Sequence, residues 1–317
     1  MGVHNQRKEY GSMLVELGKK NPDIVVLEAD LGKSTMSCMF EEAFPDRYFE
    51  MGIAEQNMTS FAGGLALAGK VPFTNTFAVF ASGRAYDQIR QSIATAKLNV
   101  KIVGSSSGMS DFGDGATHQS IDDVAIMSAI PNMTVFTPCD GLEVRRAVEA
   151  AAQLEGPCYI RLCRNDLEDI FPADAAYRIG EPVVLREGTD VTVFTHGIMA
   201  HEALKAAVAA EKEGISVSVV HIPTIKPLNE EAVRTLSAGK KGVVVCEECS
   251  IRGGLNMLVS FALRGSGIPM ESVAVMDVFG QSASSHEELL EYYGLDAKSI
   301  YRKIRKAAGK QEAGRKN

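Results

Sequence analysis

The sequence predicts an α/β protein built as two doubly wound domains with parallel sheets. Three observations carry that expectation. Short Val-, Ile- and Phe-rich runs alternate with longer helical patterns from end to end. The alternation breaks at one polar stretch, CRNDLEDIFPADAAYRIGEP (163–182), and then restarts. The chain has 317 residues, more than the ~250 at which one hydrophobic core usually stops growing. In the first half the apolar runs read as strands at DIVVLEAD, RYFEMG, VPFTNTFAVF, NVKIVGSSSG, MTVFTPC and PCYIRLC, with helices at MSCMFEEAF, AYDQIRQSIATAKL and GLEVRRAVEAAAQLEG. Six strands complete one sheet, which sets a first domain at 1–165 and a linker at 166–182. The second domain, 183–317, follows as DVTVFTHG, a helix from His201 to Glu213, ISVSVVHIPTIKP, NEEAVRTLSAG, KGVVVCEE, an apolar helix after Gly253 and Gly254, and ESVAVMDV.

Bulk properties exclude several classes of function. Apolar residues at 45% and charged residues at 23% are those of an ordinary globular protein. A net charge of −7 disfavours a nucleic-acid partner, which requires a basic stripe to neutralise phosphates. The basic tail RKIRKAAGKQEAGRKN reads as a helix end and a frayed terminus. The amino terminus, MGVHNQRKEY, lacks the apolar core of a signal peptide, and no run approaches the ~20 apolar residues of a membrane span. Six scattered cysteines suggest reduced thiols and a cytoplasmic location.

Three segments at successive strand-to-helix junctions hold the candidate chemistry. MGIAEQN (51–57) sets Glu55 at the mouth of an apolar helix running to Leu67. TNTFAVFASGRAYDQ (74–88) offers Phe77, Phe80 and Tyr86, and FGDGATHQS (112–120) ends in His118. Open α/β sheets bind ligands at the carboxyl ends of their strands, so these groups should converge. Each also has a plainer reading: an acid stabilised by a helix dipole, phenylalanines packed in a core, a loop histidine at the surface.

Together the three segments resemble the pyrimidine-binding domain of thiamine-diphosphate enzymes, specifically the carboxyl-terminal half of transketolase, and the resemblance runs over nearly the whole chain. It implies that the second half is the transketolase carboxyl-terminal domain, which serves assembly. In that family one carboxylic acid hydrogen-bonds N1′ of the coenzyme's aminopyrimidine, and Glu55, in a motif of the form G-I-x-E-x-N, takes that place. Phe77 and Phe80 would stack around the pyrimidine. Tyr86 is implied less well, because Gly83 stands where many transketolases carry a third aromatic and the RAYDQ run is closer to deoxyxylulose-phosphate synthase. The match to D-G-x-T-H-Q gives His118 and Asp114 the donor's oxygens. A helix is expected to open on a capping box at Ser120-Ile-Asp-Asp123.

The resemblance also makes Arg164 the anchor of a sugar phosphate, with Ser34 a further contact and Lys33 beside it; a linker-edge surface arginine is the plainer reading of Arg164. At Ser106 the pattern departs: a basic or imidazole group usually stands there, whereas this chain has SSSGMS, hydroxyls suited to a polyol or a sulfonate. A ketose phosphate is the first expectation for the donor and a sulfo-ketose the second. The GDG at 113–115 is not the family's metal motif, because Asn132 falls too early after it. No metal ligands are therefore expected on this chain. Mg²⁺ and the diphosphate would rest on a partner, an amino-terminal transketolase subunit, and the expected assembly is a heterotetramer of two of each chain. The expected activity is ketol transfer from a ketose to an aldose. The alternatives are a deoxyxylulose-phosphate synthase, the β subunit of a 2-oxoacid dehydrogenase, and a scaffold without activity. Cys246-Glu-Glu-Cys249 lacks the second pair that zinc needs, and His286 reads as a residue of a helix-capping region.

Overall fold

The computed structural model describes residues 2–310. The larger sheet has seven strands in the spatial order Thr224–Lys226, Thr134–Phe136, Cys158–Arg161, Lys101–Ser105, Val71–Phe77, Ile24–Glu28, Tyr48–Glu50. All neighbours are parallel except the first pair. Burial on both faces explains why the central strands read as unbroken apolar runs: every residue of Ile24–Glu28 and Lys101–Ser105 is buried. One face is covered by the helices Gln6–Lys20 and Gly141–Gln153, which bring Tyr10, Leu14, Leu17, Val144 and Val148 onto Val26, Phe73 and Ile160. Their starts are capped by Asn5, which accepts from the Arg7 and Lys8 amides, and by Asp140, which accepts from the Glu143 amide. The other face packs on the helix Glu55–Leu67 through Met58 and Ala62.

The smaller sheet runs Met270–Val275, Gly242–Ser250, Val191–Thr195, Val217–His221, Val183–Arg186, with only the last strand antiparallel. Beside a core of its own, each sheet contributes to a third that the two share. Phe194, Val220, Val245, Leu255 and Val259 of the second half join Leu27, Met58, Ile89 and Ile102 of the first in one buried cluster.

Several expectations need correction. ISVSVVHIPTIKP is not one strand: the chain leaves the smaller sheet at His221, and Thr224–Lys226 pairs antiparallel with Thr134–Phe136 of the larger one. The expected linker is partly structured, since Asp166–Glu168 pairs antiparallel with Val3–Asn5. The capping box is absent. The helix begins at Asp123 with no side-chain cap, the Ser120 carbonyl accepts from the Gly108 amide, and the Ser120 hydroxyl is buried without a partner. Ser285, not His286, caps the helix His286–Tyr292, and His286 is 3% exposed. Of the basic tail, the helix Ala297–Ala307 is as expected, and 311–317 lie outside the described residues. Among the described residues no helix is long and apolar enough to cross a membrane.

Glu28 ends the strand Ile24–Glu28 and is fully buried. Burial raises its carboxyl to about 7, although Ser37, Thr35 and the Ala29 amide all donate to it. An acid titrating higher in the fold than in the unfolded chain binds more protons when folded between about pH 4.5 and 7. Its contribution therefore falls as pH rises through that window, by on the order of 3 kcal/mol. Glu28→Gln should flatten the loss, so that the variant gains on the parent between pH 5 and 8. Urea melts of both proteins across that range check this, and parallel curves would show that Glu28 does not set the slope.

Candidate active site

The site lies at the carboxyl ends of the central strands of the larger sheet. Glu55 is the first residue of its helix, reached through a turn in which Gly52 adopts φ +68°. Its carboxylate is 2% exposed and its oxygens differ: Oε1 accepts from Arg84 Nη1 at 2.8 Å, and Oε2 is buried with no partner. Arg84 reaches it because Phe80–Arg84 forms one wide π-helical turn directly after the strand Val71–Phe77, an irregularity common at functional sites. The same turn lays the Arg84 guanidinium over the Phe80 ring, 4.3 Å from its centroid.

The two phenylalanines stand nearly parallel, their centroids 6.1 Å apart and their planes 17° from one another. His118 meets both edge-on, at 5.3 Å from Phe80 and 6.1 Å from Phe77. Acid, rings and imidazole thus converge as the sequence suggested, through Arg84. Tyr86 does not join them. It is half-buried against the shared core, one residue into the next short helix.

A second cluster adjoins the first. Arg164 Nη1 donates to Asp111 Oδ1 at 2.8 Å, and burial pushes that carboxyl up despite the guanidinium and the nearby His118. Arg7, on the amino-terminal helix, donates to the carbonyls of Ser34 and Arg164 at 2.8 and 3.2 Å. Its pKa is lowered, first by burial and then by the charge of Arg164, and its Nε is buried without a partner. A bound anion would relieve that repulsion. Arg7 ties Ser34 to Arg164 through their carbonyls, while Lys33 is exposed.

Ser106 follows the strand Lys101–Ser105, whose Ser105 pairs in register with Phe77. It is buried, has φ +53°, and its hydroxyl has no partner, a strained placement that often marks function. Asp114 is exposed on the loop between Asp111 and His118, and the Thr117 hydroxyl lies 2.9 Å from His118 Nδ1. The sequence reading missed Arg84, Arg7 and Asp111. Arg84 was quoted within RAYDQ, but the wide turn that aims it leaves no periodic signal. Arg7 had one available signal, an Asn cap followed by Tyr10, Leu14 and Leu17 at helical spacing.

Comparison with known proteins bears directly on this arrangement. Residues 4–169 match the model of the transketolase pyrimidine-binding domain and residues 180–300 that of the transketolase C-terminal domain. The chain belongs to the transketolase family. It is 43% identical to a Methanocaldococcus jannaschii protein provisionally named as a transketolase C-terminal section, over 96% of both chains. It is 40% identical to the 6-deoxy-6-sulfo-D-fructose transketolase subunit SqwH of a Clostridium species, over 94% of this chain and 93% of that one. A solved structure described as a split gene transketolase, inactive beta4 tetramer, superposes with a TM-score of 0.88 at 44% identity, covering 98% of this chain and all of the other. Human transketolase is 37% identical, and the match spans 48% of its length.

For a member of this family, the residues around Glu55 fit thiamine diphosphate on one structural ground: Glu55 Oε2 is a buried polar atom without a partner in this chain, beside two near-parallel rings. Neither cysteine of the CxxC faces it. Cys246 is buried in the core of the smaller sheet and Cys249 in the shared core.

Proposed function

We propose that this chain is the carboxyl-terminal subunit of a split transketolase, which with an amino-terminal partner moves a two-carbon ketol unit from a ketose to an aldose. The observation that carries this reading is the divided role of the Glu55 carboxylate, one oxygen fixed by Arg84 and the other left free in a dry site. When bound, thiamine diphosphate supplies a thiazolium carbon acid and, from its own aminopyrimidine, the base that ionises it. Glu55 would hold ring nitrogen N1′ by its free oxygen, where burial spares that hydrogen bond from competition with water. Phe77 and Phe80 would fix the flat heterocycle while leaving its edge open to Glu55. His118 binds the donor's oxygens and passes protons to and from them, and Asp114 takes a donor hydroxyl. Arg164, with Arg7 and Ser34, anchors the distal anion.

The need for a partner rests on the motifs of the sequence: Asn132 follows the GDG at 113–115 too early for the family's metal and diphosphate motif. Mg²⁺ and the diphosphate are accordingly assigned to the other chain. The match to about half of human transketolase supports the same division, and two of each chain is the assembly we favour. Six unpaired cysteines support a cytoplasmic location. A ketose phosphate is the first candidate donor. The unpartnered Ser105 and Ser106 hydroxyls and the likeness to a sulfofructose transketolase subunit favour a sulfo-ketose as the second.

The test is to combine this chain with its amino-terminal partner, thiamine diphosphate and Mg²⁺, and to assay ketose phosphates, sulfo-ketoses and free ketoses. Activity is expected only from the combination. Arg164→Leu should raise KM for an anionic donor about 10- to 100-fold, the value of a hydrogen bond to a charged group, and by more than for the free ketose. Full activity without the partner, or consumption of pyruvate in place of ketoses, refutes the assignment.

A further inference from the structure

The second domain reaches the loops of the site from behind. Residues 279–286 lie along the loop that carries Asp114 and His118. The Ala283 amide donates to the Phe112 carbonyl at 2.9 Å, and Gln119 Nε2 donates to the Gln281 carbonyl at 2.9 Å. The two segments touch so closely that a Cβ on Gly115 would stand 2.6 Å from Ser282 Oγ, and one on Gly280 would run into the Gln119 amide. The segment ends at His286, whose buried ring makes two bonds. Asn165 Nδ2 donates to Nδ1 at 2.6 Å, which leaves the ring proton on Nε2 to be donated to Glu248 Oε1. Asn165 is the next residue after Arg164. The other oxygen of Glu248 presses on Gly108, where a Cβ would collide with it, two residues after the strained Ser106.

We infer that His286 is a positioning residue of the second domain, fixing through Asn165 the segment that carries the anion anchor Arg164 and through Glu248 the turn at Ser106–Gly108. A domain that places no side chain among the reacting groups thereby sets how firmly the donor's anion is held. The inference rests on the reading of Arg164 as that anchor. Displacing a binding group by a fraction of an ångström weakens binding without altering the reacting groups themselves. Glutamine can donate to Glu248 and accept from Asn165 as the imidazole does, whereas leucine can do neither.

The experiment uses the complex with the amino-terminal partner and compares a ketose phosphate with the corresponding free ketose. His286→Leu is expected to raise KM for the phosphate about 5- to 10-fold, with kcat changed less than about 2-fold, so that the preference for the phosphate falls by the same factor. His286→Gln should restore KM to within about 2-fold of the parent. Asn165→Ala breaks the bridge from the half-buried side without stranding Glu248, and carries the test should the leucine variant fail to fold. In an Arg164→Leu background Asn165→Ala should have no further effect. A uniform loss of kcat with both donors, an unchanged KM in Asn165→Ala, or an Asn165→Ala effect that adds to that of Arg164→Leu overturns the inference alone. An unchanged KM in Arg164→Leu itself overturns the anchor reading, and the inference with it.

Discussion

Glu55→Gln is expected to lower turnover of the assembled enzyme by roughly 10²- to 10⁴-fold, the range for a positioned proton-handling group, while the chain folds and assembles as before. The amide has the shape of the acid and can still accept from Arg84 through its oxygen. It cannot take up or release a proton, which is what the position demands. Stability should respond in the opposite sense to activity. In this chain Glu55 Oε2 is a buried acceptor without a donor, a group that costs about 1–3 kcal/mol to leave unpaired. Arg84 is 46% exposed, so the loss of its partner leaves it hydrated. Glu55→Leu should therefore melt at or above the parent temperature while being inactive, the pattern of a residue kept for function at the expense of the fold. Thermal melts of the isolated chain and single-turnover assays of the complex check both halves. Near-normal rates in the glutamine variant would falsify the role, and a large drop in melting temperature would reassign Glu55 to structure.

What could be seen beforehand at this site follows from the physics of each residue. Phe77, Phe80 and His118 follow strands whose runs are buried because both sheet faces are covered, and Glu55 follows the edge strand Tyr48–Glu50. Locating the runs located the junctions, and the junctions of a parallel sheet share one edge. Arg84 was hidden because a π-helical turn shifts the facing of every side chain after Phe80 relative to an α-helical count. Tyr86, which only the resemblance brought into the site, is partly buried against the shared core.

Contacts between distant segments were the other blind spot. Nothing local to Thr224–Lys226 distinguishes a strand that continues one sheet from one that crosses to another, and three residues are too few for a periodicity. In the sequence His286 reads as a residue of a helix-capping region, and it is indeed the first residue after the cap Ser285; only the approach of Asn165, 121 residues away, makes it part of a bridge. Ser120 has the spacing of a capping box, but its carbonyl pairs with Gly108, and that pairing holds the residue outside the helix.

Arg161→Met is expected to cost about 3–5 kcal/mol, the penalty for stranding one member of a buried ion pair. Arg161 ends the strand Cys158–Arg161 with a side chain 4% exposed, and its Nε donates to Asp123 Oδ2 at 3.0 Å, while the Asp123 side chain is fully buried. Burial alone would lower the pKa of this guanidinium, but the charge of Asp123 acts against it and the net direction is upward. With the arginine removed, Asp123 keeps only the Tyr159 hydroxyl, 2.8 Å away. The loss should not stay local. Arg161 Nη2 also donates to the carbonyl of Glu248, at 3.3 Å, joining the strand that ends at the site to the strand of the second sheet that bears on Gly108. Against a typical total of about 5–15 kcal/mol, the variant should unfold at a much lower urea concentration with an unchanged m-value. Adding Asp123→Asn removes the stranded charge and should recover more than half of the loss, because partners in one pair do not act additively. A single variant within about 1 kcal/mol of the parent, or a double variant no better than the single, would show that the two sheets are held by their shared apolar cluster without help from this pair.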